Sequence, residues 1–438
     1  MSANEAILDE GWEIKRLRDV ADTQLGKTIN PREKSGPLQR PYLRNANVQW
    51  DRFDLSDVAT MHFDDAEASG YRLRPGDLLV CEGGVVGRCA IWTGEIEDCY
   101  FQNALHRITP RSPGVTNQWL LENLRWLVES GAITERARGN TILHLSQKEL
   151  RDLPILVPPT PVQQALTELL KQTRESSDRA TKKLEAGRHS IEKFRQSVLT
   201  AALAGRLTAE WRSESATIET AAEPPAGIEA GALPTGWTRA TVEALAEPGA
   251  AVSYGMVKPG PEVHDGVAYV RQQDIAEGTV LIGQLAHTST EIASKHRKTA
   301  LREGDVLLCI IRNLRVAVVP PGIDGANITQ GMVRIRPGNR VLGEYLAYYL
   351  AAPRTQQRMQ AQYVGLAMPR INVRDARKLS VDLPPLDEQH EIVNRVKQLF
   401  WLAYKLTEHI QCASRHVDQS TQAVLAKAFR GGAISSAT

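Results

Sequence analysis

The chain has 438 residues, of which 42% are hydrophobic and 24% charged, with 53 Lys plus Arg against 51 Asp plus Glu. This length predicts two or three domains, the composition excludes a wholly disordered chain, and the net charge of +2 excludes a globally basic nucleic-acid binder. Five cysteines without paired spacing, an acidic N-terminus and the lack of a long apolar run predict a cytoplasmic protein without a membrane segment.

The motifs of the first half of the chain recur in the same order in the second half, at a nearly constant offset of about 226 residues. The matched pairs are Gly11-Trp12 with Gly236-Trp237, Leu73–Asp77 with Leu301–Asp305, Pro158-Pro159 with Pro384-Pro385, and Val198-Leu199 with Val424-Leu425. A constant order and offset indicate a tandem duplication, because short turn motifs that recur by chance would be scattered.

Each copy begins with short β-rich runs that Gly and Pro interrupt, followed by a helical stretch. The predicted strands are Asp77–Val80, Cys89–Trp92, Asp305–Ile311 and Val316–Val319, and the predicted helices are Trp119–Val128 and Leu342–Leu350. This mixture predicts an α+β (mixed α/β) globule of about 145 residues in each copy.

Each copy ends with a long helix. Thr160 is a candidate N-cap before Pro161, Asp387 caps the second helix, and glycines follow at Gly205 and Gly431. Apolar residues at alternating spacings of four and three predict that the two helices pair as an antiparallel coiled coil, giving a pseudo-two-fold tandem repeat. The predicted helix-seam residues are Leu166, Leu169, Leu184, Ile191, Phe194, Val198, Ile392, Val396, Leu399, Leu406, Ile410 and Val417. The alternative is two separate amphipathic helices, each lying on its own domain.

Four segments carry a family resemblance: Leu233–Trp237 before a globule, Leu383–Gln389 before a helix, and the helix endings Val198–Leu207 and Val424–Gly431. In these segments and in the order of its parts, the chain resembles the DNA-specificity (S) subunit of Type I restriction-modification systems. The resemblance implies two target-recognition domains, each reading one half of a split DNA site. It also implies helical regions that act as a spacer and as a docking surface for methylation subunits.

On this resemblance, the chain divides into five segments. They are a first target-recognition domain at 1–155, a helical spacer at 156–212, a flexible linker at 213–235, a second target-recognition domain at 236–382 and a second helical spacer at 383–432. The implied partners are double-stranded DNA and two methylation subunits, with room for two restriction (translocase/nuclease) subunits. S-adenosylmethionine is expected in the methylation subunit and no cofactor in this chain, which is expected to be non-catalytic.

Reading a duplex requires Lys or Arg for phosphates, and Arg, Asn, Gln or Asp for base edges. Such residues follow a predicted strand at Arg44–Gln49 and again at Arg271–Asp274, and a basic hairpin loop surrounds Arg312. The expected DNA-binding residues are Lys27, Arg32, Arg44, Asn45, Asn47, Gln49, Arg88, Asn140, Lys258, Arg271, Gln272, Gln273, Asp274, Arg312, Asn313, Arg315 and Arg370. The alternatives are a solvated strand edge, solvated charged faces and a structural turn before each long helix.

Candidate catalytic and metal-binding motifs are rejected because the residues around them do not fit such sites. The segment Ala21–Thr28 fits a relaxed phosphate-loop pattern, but Pro31 blocks the helix that such a loop opens. Cys81, Cys89 and Cys99 lack the close-pair spacing of a zinc site, so no metal is expected. The second hypothesis for function is a coiled-coil scaffold or adaptor whose globular domains bind proteins rather than DNA, and an enzyme acting alone is the weakest.

Overall fold

The structure, a computed structural model, describes residues 11–28, 36–111, 114–136, 143–215, 233–365 and 367–429. The chain divides into two compact units, Met1–Lys183 with Ala413–Thr438, and Leu184–Cys412. Each unit combines one globular domain with part of each of two long helices, so the boundary between the units falls inside both helices.

The first unit carries four sheets, with strand orders β1-β11, β2-β10-β7-β8, β6-β3-β9 and β4-β5. Its elements in chain order are β1 (Glu13–Arg16), α1 (Leu17–Val20), β2 (Ala21–Leu25), β3 (Gln39–Leu43), β4 (Val48–Gln49), β5 (Arg52–Phe53), β6 (Ala59–His62), α2 (Asp65–Tyr71), β7 (Leu78–Cys81), β8 (Cys89–Ile91), β9 (Tyr100–Phe101), β10 (Leu105–Pro110), α3 (Asn117–Glu129), α4 (Ala132–Arg136), α5 (Gln147–Arg151), β11 (Pro154–Val157) and the start of α6 (Thr160–Leu203).

The second unit repeats this plan with strand orders β12-β22, β13-β21-β18-β19-β16-β15 and β17-β14-β20. After α6 its elements are α7 (Ala209–Ser215), β12 (Thr238–Thr241), α8 (Val242–Leu245), β13 (Ser253–Tyr254), β14 (Val267–Val270), β15 (Ile275–Ala276), β16 (Thr279–Val280), β17 (Ala286–Thr288), α9 (Thr290–Lys295), β18 (Val306–Cys309), β19 (Val316–Val318), β20 (Asn327–Ile328), β21 (Met332–Ile335), α10 (Gly343–Ala351), α11 (Pro353–Gln360), α12 (Val373–Arg377), β22 (Ser380–Leu383) and the start of α13 (Leu386–Phe429).

A fully buried strand forms the centre of each domain, as its apolar run predicts. Alternate residues of a strand point to opposite faces. In β18, Val306 and Leu308 pack in the cluster that includes α10, while Leu307 and Cys309 pack in a second cluster on the other face. In the first unit, β7 divides its side chains between two clusters in the same way. The predicted strands and helices correspond to β7, β8, β18, β19, α3 and α10, with ends that coincide or differ by one or two residues.

Helices α6 and α13 are each 44 residues long, or about 66 Å at 1.5 Å per residue. In the second unit, Gly187 of α6 lies against Ile410 of α13, and eight residues further along α6 the Arg195 guanidinium lies 5.6 Å from the ring centroid of Phe400. Positions rise along one helix as they fall along the other, so the predicted antiparallel pairing is confirmed. The alternative of two helices lying separately on their own domains is wrong.

Most predicted seam residues are shielded, and three are not. Leu169, Phe194 and Leu406 are more than a third exposed, whereas the neighbouring Leu170, Arg195 and Thr407 are buried or partly buried. Because an α-helix turns 100° per residue, a shift of one position moves a side chain away from the seam. The alternating spacing of four and three selected these three positions, whereas the shielded side chains lie one position later. The shielded predicted residues are Leu166, Leu184, Ile191, Val198, Ile392, Val396, Leu399, Ile410 and Val417.

Beyond α6, the chain leaves its helix at Gly205, whose φ of +67° is the left-handed conformation typical of a helix C-terminus. Helix α7 then runs to Ser215, inside the segment predicted as a linker from residue 213. Most of the predicted linker, residues 216–232, lies outside the described residues, as does the second predicted helix end at Gly431.

A buried glutamine fastens each domain to its long helix. In the first unit, Gln163 Nε2 donates to the carbonyl oxygens of Gly114 (2.6 Å) and Pro158 (2.8 Å), and its Oε1 accepts from the Thr116 amide (3.4 Å). The side chain is fully buried. We call this arrangement the amide clamp, because one side chain joins the start of α6 to the loop before α3.

The second unit repeats the amide clamp with Gln389. Its Nε2 donates to the carbonyl oxygens of Arg340 (3.0 Å) and Pro384 (2.9 Å), and its Oε1 accepts from the Leu342 amide (2.9 Å). All four residues are the counterparts of the first clamp at the offset of the sequence repeat. The duplication therefore preserved how each domain is held on its helix.

A second contact between domain and helix occurs at matching positions but uses different chemistry. In the first unit, Arg174 Nη1 donates to the carboxylate of the buried Glu122 of α3 at 2.6 Å. In the second unit, Tyr348 of α10 packs edge-on against Phe400 of α13 with ring centroids 5.8 Å apart. An ion pair and an aromatic pair thus occupy the same position in the two copies.

The amide clamp leads to a stability prediction. Gln389→Leu fills the same space but leaves two carbonyls and one amide unpaired, at about 1–3 kcal/mol for each buried group. We expect this variant to lower the thermal unfolding midpoint by several degrees, as measured by scanning calorimetry. Gln164→Leu, which changes an exposed neighbour of Gln163, is the matched control and should leave the midpoint unchanged. Equal midpoints for both variants would contradict the clamp.

Candidate nucleic-acid interface

The candidate interface of the second unit is one edge of the domain, where several loops meet through backbone hydrogen bonds. The Met256 amide donates to the Ile328 carbonyl at 2.7 Å, and the Gln330 amide donates to the Met256 carbonyl at 2.8 Å. A Cβ at Gly255 would lie only 1.8 Å from the Ile328 oxygen. Only glycine allows these two backbones to approach so closely.

The first unit has the same edge. The Lys27 amide donates to the Phe101 carbonyl at 3.1 Å, and the Asn103 amide donates to the Lys27 carbonyl at 2.9 Å. A Cβ at Gly26 would lie 2.2 Å from the Gln102 oxygen. Each recognition edge, as we name it, therefore begins with the same glycine-dependent crossing of two loops.

A side-chain amide next connects this crossing to the hairpin loop of the central sheet. In the second unit, Gln272 Nε2 donates to the carbonyl oxygens of Ile311 (3.1 Å) and Gly331 (2.9 Å). In the first unit, Asn45 Nδ2 donates to the Gly83 carbonyl at 3.0 Å. Asn45 and Gln272 were both predicted to read bases, but their donors are occupied inside the domain. Their position makes them supports of the hairpin loop.

The segments before the two long helices complete each edge. Isolated β-bridges join Gly83 to His144 in the first unit and Ile311 to Arg370 in the second. The Arg312 amide donates to the Pro369 carbonyl at 2.7 Å, and Arg312 has a φ of +63°. This left-handed conformation is uncommon for a residue with a side chain and is held here by the surrounding loops. It leaves the guanidinium of Arg312 exposed at the tip of the hairpin.

The arginines at the strand ends are tied to nearby carboxylates. Arg271 bonds both oxygens of the buried Asp274, and this carboxylate raises the pKa of Arg271 above its usual value. Arg44 donates to the Asp57 carboxylate at 2.8 Å. The Asp274 carboxylate and the Asn47 side-chain oxygen also accept from the backbone amide three residues earlier, so both close the turn after the strand.

Several other predicted DNA-binding residues of the first unit also have partners within the domain. Lys27 is buried, and its ammonium donates to the His62 carbonyl at 3.0 Å. Arg88 donates to Gln49 Oε1 at 3.2 Å and to the Asn45 carbonyl at 2.9 Å. The predicted Arg32 and Asn140 lie outside the described residues.

The second unit differs, because its recognition edge presents exposed cations and amides. Lys258, Gln273, Arg312 and Arg370 are exposed, and their side chains form no ion pair with the described residues. Arg315 is exposed as well and donates to the Ile275 carbonyl at 3.2 Å, while Asn313 accepts from the Arg315 amide. The described part of the first edge carries instead Glu82, whose pKa burial raises, beside His144.

The sequence analysis missed part of this edge. Gln330 is exposed next to Gly331, yet it is not among the expected DNA-binding residues. Tyr254 and Met368 are about half exposed and flank the same loops. Apolar side chains in such positions can contact thymine methyl groups. The sequence signal that could have identified this part of the edge was Gly255, which follows a strand and precedes Lys258.

Metal-ligand groupings and the buried cysteines are two further features of the described residues that bear on chemistry. No group of three or more His, Cys, Asp and Glu side chains in the described ranges is placed to hold a metal ion. Burial raises the pKa of Cys81 to about 11 and that of Cys309 to about 12, which disfavours the nucleophilic thiolate form. None of the helices described here has the length and apolar character that a membrane crossing requires.

Two adjacent glutamines test which side chains support the hairpin loop and which are free to contact DNA. Gln272→Ala removes two hydrogen bonds, to the Ile311 and Gly331 carbonyls, each of which keeps one backbone donor, and should lower the thermal unfolding midpoint by a few degrees. Gln273→Ala changes an exposed side chain and should leave the midpoint within about one degree, because surface substitutions change stability little. If Gln273→Ala were the more destabilising of the two, the assignment would be reversed.

Comparison with known proteins shows which family the chain resembles. The model of the Type I restriction modification DNA specificity domain matches residues 9–186 and 254–412. The chain is 29% identical over 364 residues to the Escherichia coli Type I restriction enzyme EcoBI specificity subunit, covering 83% of this chain and 74% of that protein. It is 23% identical over 445 residues to the E. coli EcoKI specificity subunit, covering 98% and 90% respectively.

Solved structures agree on the fold. One chain from a study of complex assembly and conformational transition of the type I R-M system matches with a TM-score of 0.70 and 16% identity, covering 97% of this chain and 99% of that one. The HsdS subunit from Thermoanaerobacter tengcongensis matches with a TM-score of 0.54 and 16% identity, covering 98% and 100%. The family match spans most of the chain in two copies, and the chain therefore belongs to the family of Type I restriction-modification DNA specificity subunits.

Proposed function

We propose that this chain reads a bipartite, gapped DNA sequence, with one recognition edge for each half of the site. The repeated construction of the two domains carries the proposal. Each domain has the same glycine crossing, the same amide support of a hairpin loop and the same amide clamp on its long helix. Two readers built alike on one chain are suited to two half-sites separated by a fixed number of base pairs.

The two half-sites should differ in sequence. The second edge offers Lys258, Arg312 and Arg370 to phosphates or guanines and Gln273 to adenine, whereas Glu82 and His144 lie at the described part of the first edge. Edges that present different side chains favour different bases. A non-palindromic target follows from this difference.

We expect partner chains in the cytoplasm to carry out the chemistry on the DNA. We expect two methylation subunits that bind S-adenosylmethionine and flip the target adenine out of the duplex, with room for two restriction subunits around this core. The long helices are the expected docking surface for the methylation subunits. The match to a chain solved in work on assembly of the type I R-M system supports a multi-subunit role.

The direct test is co-expression with a neighbouring methylation subunit, followed by mapping of methylated adenines in host DNA. The expected result is one recurrent motif with two unlike specified halves and an unspecified gap of constant length. Methylation without such a gapped motif would contradict the proposal. A scaffold that binds proteins instead would give no motif, and the DNA affinity of the complex would lack the steep salt dependence of phosphate contacts.

Arg312 provides the sharpest test at the level of one residue. Arg312→Ala in the assembled complex should relax or weaken recognition of one half-site only, at about 1–3 kcal/mol if the guanidinium reads a guanine. Arg340→Ala removes another exposed charge, near the base of α13, and is the matched control. Binding of DNA libraries randomised in either half measures both effects. An equal loss of binding at both half-sites would contradict the assignment of one recognition edge to each half-site.

A further inference from the structure

A cavity of about 320 Å³ in the second unit lies where the end of α6 meets α11 and the sheet of β12 and β22. Three arginines line it: Arg239 belongs to β12, and Arg354 and Arg358 belong to α11. None of these three arginines belongs to the amide clamp or to the recognition edge. Cavities of this volume are large enough to hold a small ligand. The cavity is therefore a candidate binding site.

The corresponding position of the first unit is filled by aromatic rings. Phe429, at the end of α13, stacks between Trp119 and Trp126 of α3, with ring centroids 5.4 and 5.3 Å apart. At the offset of the sequence repeat, the counterparts of these residues are Leu203, Tyr345 and Ala352. Leu203 and Ala352 line the cavity. Two smaller side chains thus stand at the cavity where the first unit has stacked rings, so the contact between helix and domain does not require an open space.

The lining of the cavity carries net positive charge. Asp382 is the one carboxylate among its described residues, and it accepts from Arg239 Nε at 2.6 Å, so one arginine is neutralised. Arg354 and Arg358 are exposed and form no ion pair with the described residues, although Arg358 donates to the hydroxyl of the buried Tyr349. Two like charges four residues apart on a helix repel each other. An anion between these two guanidiniums removes that repulsion.

Two uncharged features at the start of α11 also favour an anion. Thr355 is only 3% exposed and lines the cavity, and its hydroxyl forms no hydrogen bond with the described residues. Buried hydroxyls normally have a partner, so this donor is available to a ligand. The N-cap residue of α11, Ala352, has no side-chain oxygen to cap the first turn. The positive end of the helix dipole is therefore left for a negative group.

We propose that this cavity, which we name the anion pocket, binds a small organic phosphate. Arg354 and Arg358 bind the phosphate oxygens, and Thr355 donates its hydroxyl to one of them. A phosphate monoester carries about two negative charges and three acceptor oxygens, which match two unpaired guanidiniums and one hydroxyl. The cavity is larger than an inorganic phosphate ion, so the ligand includes an organic part, which contacts Leu203 and Ala352.

The anion pocket joins elements that hold the second domain on its helix. Leu203 belongs to α6, whereas Arg354 and Thr355 belong to a helix of the domain, so one ligand contacts both. A ligand that binds only the folded chain stabilises it, and this one strengthens the attachment of the domain to α6. The inference goes beyond the proposed function, and mapping of methylated adenines does not depend on it. Either can therefore fail without the other.

The experiment measures binding to the full chain by isothermal titration calorimetry with adenosine 5′-monophosphate (AMP), inorganic phosphate and adenosine. We expect one site that binds AMP at least about 10-fold more tightly than inorganic phosphate and does not bind adenosine detectably. Arg354→Gln and Arg358→Gln should each weaken AMP binding about 10-fold or more, because each removes charge-assisted hydrogen bonds. Arg374→Gln changes an exposed arginine of α12 outside the pocket and, as the matched control, should alter AMP affinity less than about twofold.

Thr355→Val separates a role in ligand binding from a role in the fold. It keeps the shape of the side chain but removes the hydroxyl, so AMP affinity should fall about fivefold. Without AMP, its thermal unfolding midpoint should equal or exceed that of the wild type, because a buried hydroxyl without a partner is lost. A lower midpoint with unchanged AMP affinity would show a structural hydroxyl and would overturn the inference. So would equal binding of adenosine, equal weakening by Arg374→Gln, or displacement of AMP by non-specific duplex DNA.

Discussion

The orientation of each recognition domain depends on one buried side-chain amide. Gln163 and Gln389 lie at the starts of the two long helices, and each satisfies three backbone groups of the polypeptide before it. An unpaired buried backbone group costs about 1–3 kcal/mol, so a domain cannot tilt on its helix without breaking several such bonds. A recognition edge is useful on DNA only if its orientation is fixed, and the clamp supplies that constraint within each unit.

Both copies keep the amide clamp, but they differ at surfaces where contact with other molecules is expected. The Glu122–Arg174 ion pair is replaced by the Tyr348–Phe400 aromatic pair without loss of the domain–helix contact. The described parts of the recognition edges keep their backbone geometry but present different side chains, and the outward face of α13 is apolar where that of α6 is polar. Duplication thus preserved the contacts that hold the domains, while the exposed surfaces changed.

The repeat, the mixed α+β character and the antiparallel helices could be predicted because they depend on periodicity and chain order. The exact seam residues were harder to predict, since the four-and-three spacing selected Leu169 and Phe194, which are exposed, while Leu170 and Arg195 beside them are shielded. Asn45 and Gln272 were expected to read bases, whereas in the structure their side-chain amides donate to carbonyls within the domain. Whether an amide faces solvent or a neighbouring carbonyl depends on residues far away in sequence, such as Gly83 and Ile311, and no local pattern reports this.

The central claim is that the paired helices set the distance between two fixed readers. Inserting seven residues into α6 beside Gly187 and seven into α13 beside Ile410 keeps the seam in phase and lengthens the pair by about 10 Å. Mapping of methylated adenines with this variant should give the same two half-sites separated by a gap about three base pairs longer. An unchanged gap, with both half-sites still methylated, would contradict the account.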